Sequence, residues 1–185
     1  MAKHNMSKAE LLRRYKEAKT AKAGCDKAPF TAIATLCNYI LWKEEKWYQK
    51  KLAEYNQRVH DCDRMMDDGE ITIDDIRKRL WDKAGFDVQV VDEEQKYSKK
   101  TKNFVQRMER EIVEANNQVN NMSARYILIH YSVLMDMGYG NKRLNRNMGY
   151  VNEWLRRTSR EGDISIMQLH KELFQDAGIF IEMPN

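Results

Sequence analysis

The chain has 185 residues, 42% of them hydrophobic, which suits one ordinary folded domain or two small ones and excludes a disordered protein. No apolar run approaches the roughly 20 residues that cross a bilayer, and the opening Met1-Ala2-Lys3-His4-Asn5-Met6 lacks the apolar core of a secretion signal, so a cytosolic protein with no membrane partner is expected. The formal net charge of +4 is concentrated at the start, where Lys3, Lys8, Arg13, Arg14, Lys16, Lys19, Lys22 and Lys27 outnumber Glu10, Glu17 and Asp26.

In chain order, Ser7 with Glu10 three positions on is a capping-box signature and predicts a helix running to Gly24, so that residues 1–28 form a basic amino-terminal helix or arm. Phe30, Ile33, Ala34, Leu36, Cys37, Ile40 and Leu41 predict an apolar helix. Tyr48, Leu52, Tyr55, Val59, Cys62 and Met66 alternate spacings of four and three, which puts them on one face of a second. After a turn at Gly69, Ile71-Thr72-Ile73 alternates as a brief strand would, and the Thr72 hydroxyl can also set up the next helix, which Gly85 should stop. Phe86, Val88 and Val90 then alternate as a strand. From Asp92 to Asn121 there is no proline or glycine, and Phe104, Met108, Ile112, Ala115 and Val119 share one side, which predicts a long amphipathic helix leading into another over 125–137.

The remainder repeats what came before. Gly69-Glu70-Ile71-Thr72-Ile73, with Ile76, Lys78, Leu80, Trp81, Ala84 and Gly85, returns 93 residues later as Gly162-Asp163-Ile164-Ser165-Ile166, with Leu169, Lys171, Leu173, Phe174, Ala177 and Gly178. Tyr39, Trp47 and Lys50-Lys51-Leu52 return 92 residues later as Tyr131, Tyr139 and Lys142-Arg143-Leu144, followed by a stripe of Met148, Val151, Leu155 and Thr158. Ile179, Ile181 and Met183 again alternate as a strand. The expected fold is therefore α+β and mainly helical, with two tandem modules of helix, helix, short strand, helix and strand over 29–91 and 124–185, joined by a connecting helix over 92–123. Duplication presents two related surfaces, which suits binding better than a single catalytic cleft.

Local charge distinguishes the copies. Asp61, Asp63, Asp67 and Asp68 crowd one stretch of the first module, and the matching stretch of the second carries Arg156 and Arg157. Trp47, Lys50 and Lys51 in one copy, and Tyr139, Lys142, Arg143 and Arg146 in the other, interleave aromatics with cations as a nucleic-acid or partner surface does. The alternative is core aromatics at helical spacing with basic residues on the rim. Gly138-Tyr139-Gly140-Asn141 frees the backbone ahead of Lys142 and Arg143, with Asn141 placed to cap the helix. The first copy has Glu45-Lys46-Trp47-Tyr48 there, so the two cannot both do a glycine-dependent job.

No catalytic, cofactor or metal site is expected. His60-Asp61 lacks the further histidine and aspartate that a metal phosphohydrolase needs, His130 and His170 have no partner at ligand spacing, and the aspartates miss the register of a calcium loop. Cys25, Cys37 and Cys62 form no paired spacing and read as reduced, partly buried thiols.

Gly138-Tyr139-Gly140-Asn141-Lys142-Arg143-Leu144, a helix, then Gly162-Asp163-Ile164-Ser165 and Asp176-Ala177-Gly178-Ile179 resemble a pattern in small proteins of phages and prophages of low-GC Gram-positive bacteria. The likeness covers residues 125 to 182, and 33 to 90 more weakly. Proteins of this size and origin include type II-A anti-CRISPR inhibitors. The resemblance implies a non-catalytic protein that binds a host RNA-guided nuclease or its ribonucleoprotein complex, blocking DNA binding or cleavage. A nucleic-acid-binding accessory of phage replication or transcription is the alternative, with direct RNA or DNA contact and oligomeric state left open.

Overall fold

The computed structural model describes residues 7–23, 28–88, 104–158 and 162–181. They form helices α1 (Lys8–Ala23), α2 (Ala28–Lys43), α3 (Gln49–Asp67), α4 (Ile73–Ala84), α5 (Phe104–Asp136), α6 (Asn141–Thr158) and α7 (Ile166–Ala177). Among the described residues there is no strand, so the α+β expectation gives way to an all-helical fold.

Both short strands expected at Ile71-Thr72-Ile73 and Ile164-Ser165-Ile166 are helix starts. Thr72 is extended (φ −113°, ψ 166°) because it is an N-cap: its hydroxyl accepts from Asp75 N at 3.2 Å, and Thr72 N donates to the Asp75 carboxylate at 2.9 Å. Ser165 accepts from Gln168 N at 3.2 Å in the same way. Each cap is flanked by the apolar pair of a hydrophobic staple, Ile71 with Ile76 and Ile164 with Leu169, and each pair lies in one apolar cluster. A single extended residue between apolar neighbours thus imitates a two-residue period. The later alternations also make no sheet. Gly85 (φ 57°) and Gly178 (φ 64°) end α4 and α7 in the left-handed region, after which Phe86, Val88 and Ile179 are buried in irregular chain, with Phe86 N and Ile179 N donating back to Leu80 O and Leu173 O of the helices they follow. Val90 and Met183 lie outside the described residues.

The repeated segments do not pack as two separate bodies. The first helix of one copy, α2, lies mainly against α5, α6 and α7; its counterpart, the second half of α5, lies mainly against α2, α3 and α4. Each copy's first helix is therefore held by the other copy's second and third, in a pseudo-two-fold arrangement. Paired hydrogen bonds obey the same exchange: Gln49 Nε2 donates to Gly178 O at 3.0 Å, and Asn141 Nδ2 donates to Gly85 O at 2.9 Å. Asn141, expected to cap α6, instead opens the helix and ties it to the other copy. Surrounded by three helices, α2 is buried almost all round, with Leu36, Cys37, Asn38, Ile40 and Leu41 inaccessible.

The connecting helix and the second module's first helix are one rod, α5, about 50 Å long at 1.5 Å per residue. Residues 89–103, which include the start expected for it at Asp92, lie outside the described residues. Its early part and α1 bury Leu11, Met108 and Ala115 apart from the two main apolar clusters. Ser7 Oγ accepts from Glu10 N at 3.2 Å at the start of α1. No helix among the described residues is long and apolar enough to cross a membrane.

Candidate binding surfaces

The starts of α3 and α6 meet near the pseudo-two-fold axis. Trp47 and Tyr139 precede them and face each other edge to face, centroids 6.0 Å apart and planes at 74°. Lys51 Nζ sits 4.1 Å over the Trp47 ring, and the Arg143 guanidinium 3.8 Å over the Tyr139 ring. Both pairs are related by the 92-residue offset, so one local motif faces a copy of itself. Trp47 and Tyr139 are buried. This corrects their assignment to a partner surface: the rings pin the two copies together and are not free to stack on a base. Their neighbour Glu45 has a side chain only 3% exposed and holds Arg143 at 3.0 Å and Arg146 at 3.1 Å.

Outside this pin lies a basic surface. Lys46, Tyr48, Lys50 and Lys142 are exposed, Arg146 is exposed on its outer side, and the three lysines have no carboxylate partner among the described residues. Tyr48 is the N-cap of α3 but its side chain makes no capping bond, and α6 follows Gly140, which has none to make. Two uncapped, positive helix ends thus underlie cations that oppose them. Lys46 has φ 56°, and Gly138, 92 residues on, has φ 89°. The backbone turn that looked glycine-dependent therefore occurs in both copies, with lysine taking the left-handed conformation in the first. Tyr48, 66% exposed, is a surface residue that the apolar stripe had assigned to the core. Its sequence signal was its place at the end of that stripe, between Lys46 and Lys50.

The remaining basic candidates are partly committed. Arg156 pairs with Glu153 at 2.8 Å, while Arg157 pairs with Asp163 at 3.1 Å and lies 4.4 Å over Trp154. In α1, Arg13 bridges Glu10 and Glu17, and Arg14 takes Glu10, so its arginines are largely neutralised within the helix. Lys3 and Lys27 lie outside the described residues.

The acidic candidates sit at the other end of α3. Asp63 and Asp67 bind Arg125 of α5, at 2.6 and 2.7 Å. Asp61 accepts from Gln57 at 3.1 Å, and Asp68 is the exposed C-cap of α3 beside exposed Glu70. Part of the acidic stretch is therefore a helix-to-helix tie, and the rest faces solvent. Among the described residues no group of three or more His, Cys, Asp and Glu side chains is placed to hold a metal ion.

One buried polar centre carries no surface. His130 of α5 is inaccessible; Tyr55 OH lies 2.7 Å from its Nδ1 and Asn147 Oδ1 2.9 Å from its Nε2. The Nε2–H tautomer fits, donating to Asn147 and accepting the Tyr55 hydroxyl proton. Burial pushes the imidazole down to about 4, against a smaller opposing effect of Asn147. Cys37 is buried and Cys62 partly so, both as free thiols that burial keeps protonated; Cys25 is outside the described residues. The chain matches no family model, no curated protein and no solved structure.

Proposed function

We propose that this is a non-catalytic binding protein that receives a polyanionic partner where α3 and α6 begin. On the phage-type resemblance, it acts as an inhibitor of a host defence nuclease, with the RNA-guided nuclease of type II CRISPR systems as first target. The observation that carries the binding reading is Lys46. A lysine in the left-handed region costs about 1–2 kcal/mol, and the other copy avoids that cost with Gly138. A strained cation among lysines without carboxylate partners is accounted for by the anion it meets. Guide-RNA phosphates or an acidic protein patch would supply that charge. The exposed carboxylates Asp68 and Glu70, at the opposite end of α3, would then compete for a groove meant for target DNA.

The second reading, a nucleic-acid-binding accessory of phage replication or transcription, draws on Tyr48, an exposed aromatic between two lysines on which a base can stack. Size-exclusion chromatography with a type II effector, with and without guide RNA, run beside a target-cleavage assay, separates the two. Co-elution with loss of cleavage supports inhibition. Binding to bare nucleic acid alone, falling steeply with salt, supports the accessory.

A further inference from the structure

Helix α7 packs on α2 with Leu169 and Leu173 buried, and leaves a second apolar face open. Met167 (73% exposed), Phe174 (57%) and Phe180 (69%), together with Gln168, His170 and Lys171, line an open groove of about 520 Å³. His170 Nε2 donates to Ile181 O at 2.7 Å, and the Phe180 ring lies 5.9 Å from His170 and 6.2 Å from Phe174. The groove wall is thus anchored to the helix.

The duplication supplies an internal control. On α4, 93 residues earlier, Asp74, Asp75 and Asp87 stand where this region has Met167, Gln168 and Phe180. The third helix folds with either set, so the apolar one is not needed for the fold. The exposed aromatic is kept in both copies, as Trp81 and Phe174, and so is the cation, as Lys78 and Lys171. Lys78 has Asp75 in its field, whereas Lys171 has Gln168 at the matching position and no partner among the described residues.

We propose that this groove binds a segment of a partner protein that sets an apolar side chain against Phe174 and Phe180 and a carboxylate on Lys171 Nζ. Charge complementarity selects this occupant: an unneutralised ammonium in an apolar groove is best met by an acidic, apolar peptide. The site uses residues distinct from the basic surface of α3 and α6, so each can fail without the other.

The test is selection of a displayed random-peptide library on the full chain, followed by fluorescence anisotropy of the selected peptide. Enrichment of a motif combining apolar and acidic residues is expected. Phe174→Asp should weaken the peptide about tenfold or more, and Lys171→Glu should turn the preference to basic peptides. Both side chains are exposed, and unchanged helical circular dichroism would certify the fold of each variant. No enrichment, or a motif indifferent to both substitutions, overturns the proposal. So does dimerisation in sedimentation equilibrium that Phe174→Asp abolishes, which makes a second copy the occupant. Tighter peptide binding by Glu182→Gln also overturns it, by making the chain's own terminus the occupant.

Discussion

Two residues separate what folds this protein from what it presents. His130 has an ordinary value near 6.5 that burial lowers to about 4. Between those values the unfolded chain binds the proton and the folded chain does not, so stability falls as pH drops through this window, by about 3 kcal/mol in all. Urea midpoints at pH 7 and 4.5 should show the drop, and His130→Gln should flatten it. Asp75 and Asp163, held below the usual carboxylate range by Thr72 and Arg157, contribute stability lost only at lower pH. Lys46 behaves oppositely. Lys46→Gly should raise stability by about 1 kcal/mol, by relieving the positive φ, while weakening polyanion binding at low salt. The buried tie of His130 between Tyr55 and Asn147 was not legible in the sequence, because it joins residues 75 and 17 positions apart on three helices. Nor was the positive φ of Lys46, since nothing in Glu45-Lys46-Trp47 marks a turn as glycine would.

Helix ends carry the next level. The Thr72 cap is reciprocal and the Ser165 cap one-sided, so Thr72→Ala should cost about 1 kcal/mol or more and Ser165→Ala less, as read by thermal unfolding. The capping hydroxyls were legible as residue types. That they replaced strands was not, because cap and staple place apolar residues two apart just as a strand does. Helix α3 carries Lys50 and Lys51 against its dipole in the first turn, and at its last turn Asp67 and Asp68 oppose the dipole that Arg64 complements. Exchanging the exposed pair, as Lys50→Glu with Asp68→Lys, should stabilise the helix by about 1 kcal/mol and weaken partner binding. A rise in both would separate charge placement from function.

For the whole molecule, the repeat was plain in the sequence, but the way its copies interleave was not, since periodicity describes faces and not the helices that meet them. Because α2 is held by α5, α6 and α7, a chain cut between residues 95 and 96 should give halves that are poorly helical alone and regain helicity on mixing, as followed by circular dichroism and size-exclusion chromatography. Independent folding of either half would contradict this packing. The same interleaving bears on synthesis. At about 5–20 residues per second, the ribosome needs about 6–25 s after finishing α2 to reach α7; α5 and α6 are made only in the later part of that interval, so the most apolar helix of the protein waits for its principal partners and gains α7 last. Its packing is thus completed only near the end of translation, and any product that stops before α7 leaves part of α2 uncovered, open to aggregation or to a chaperone.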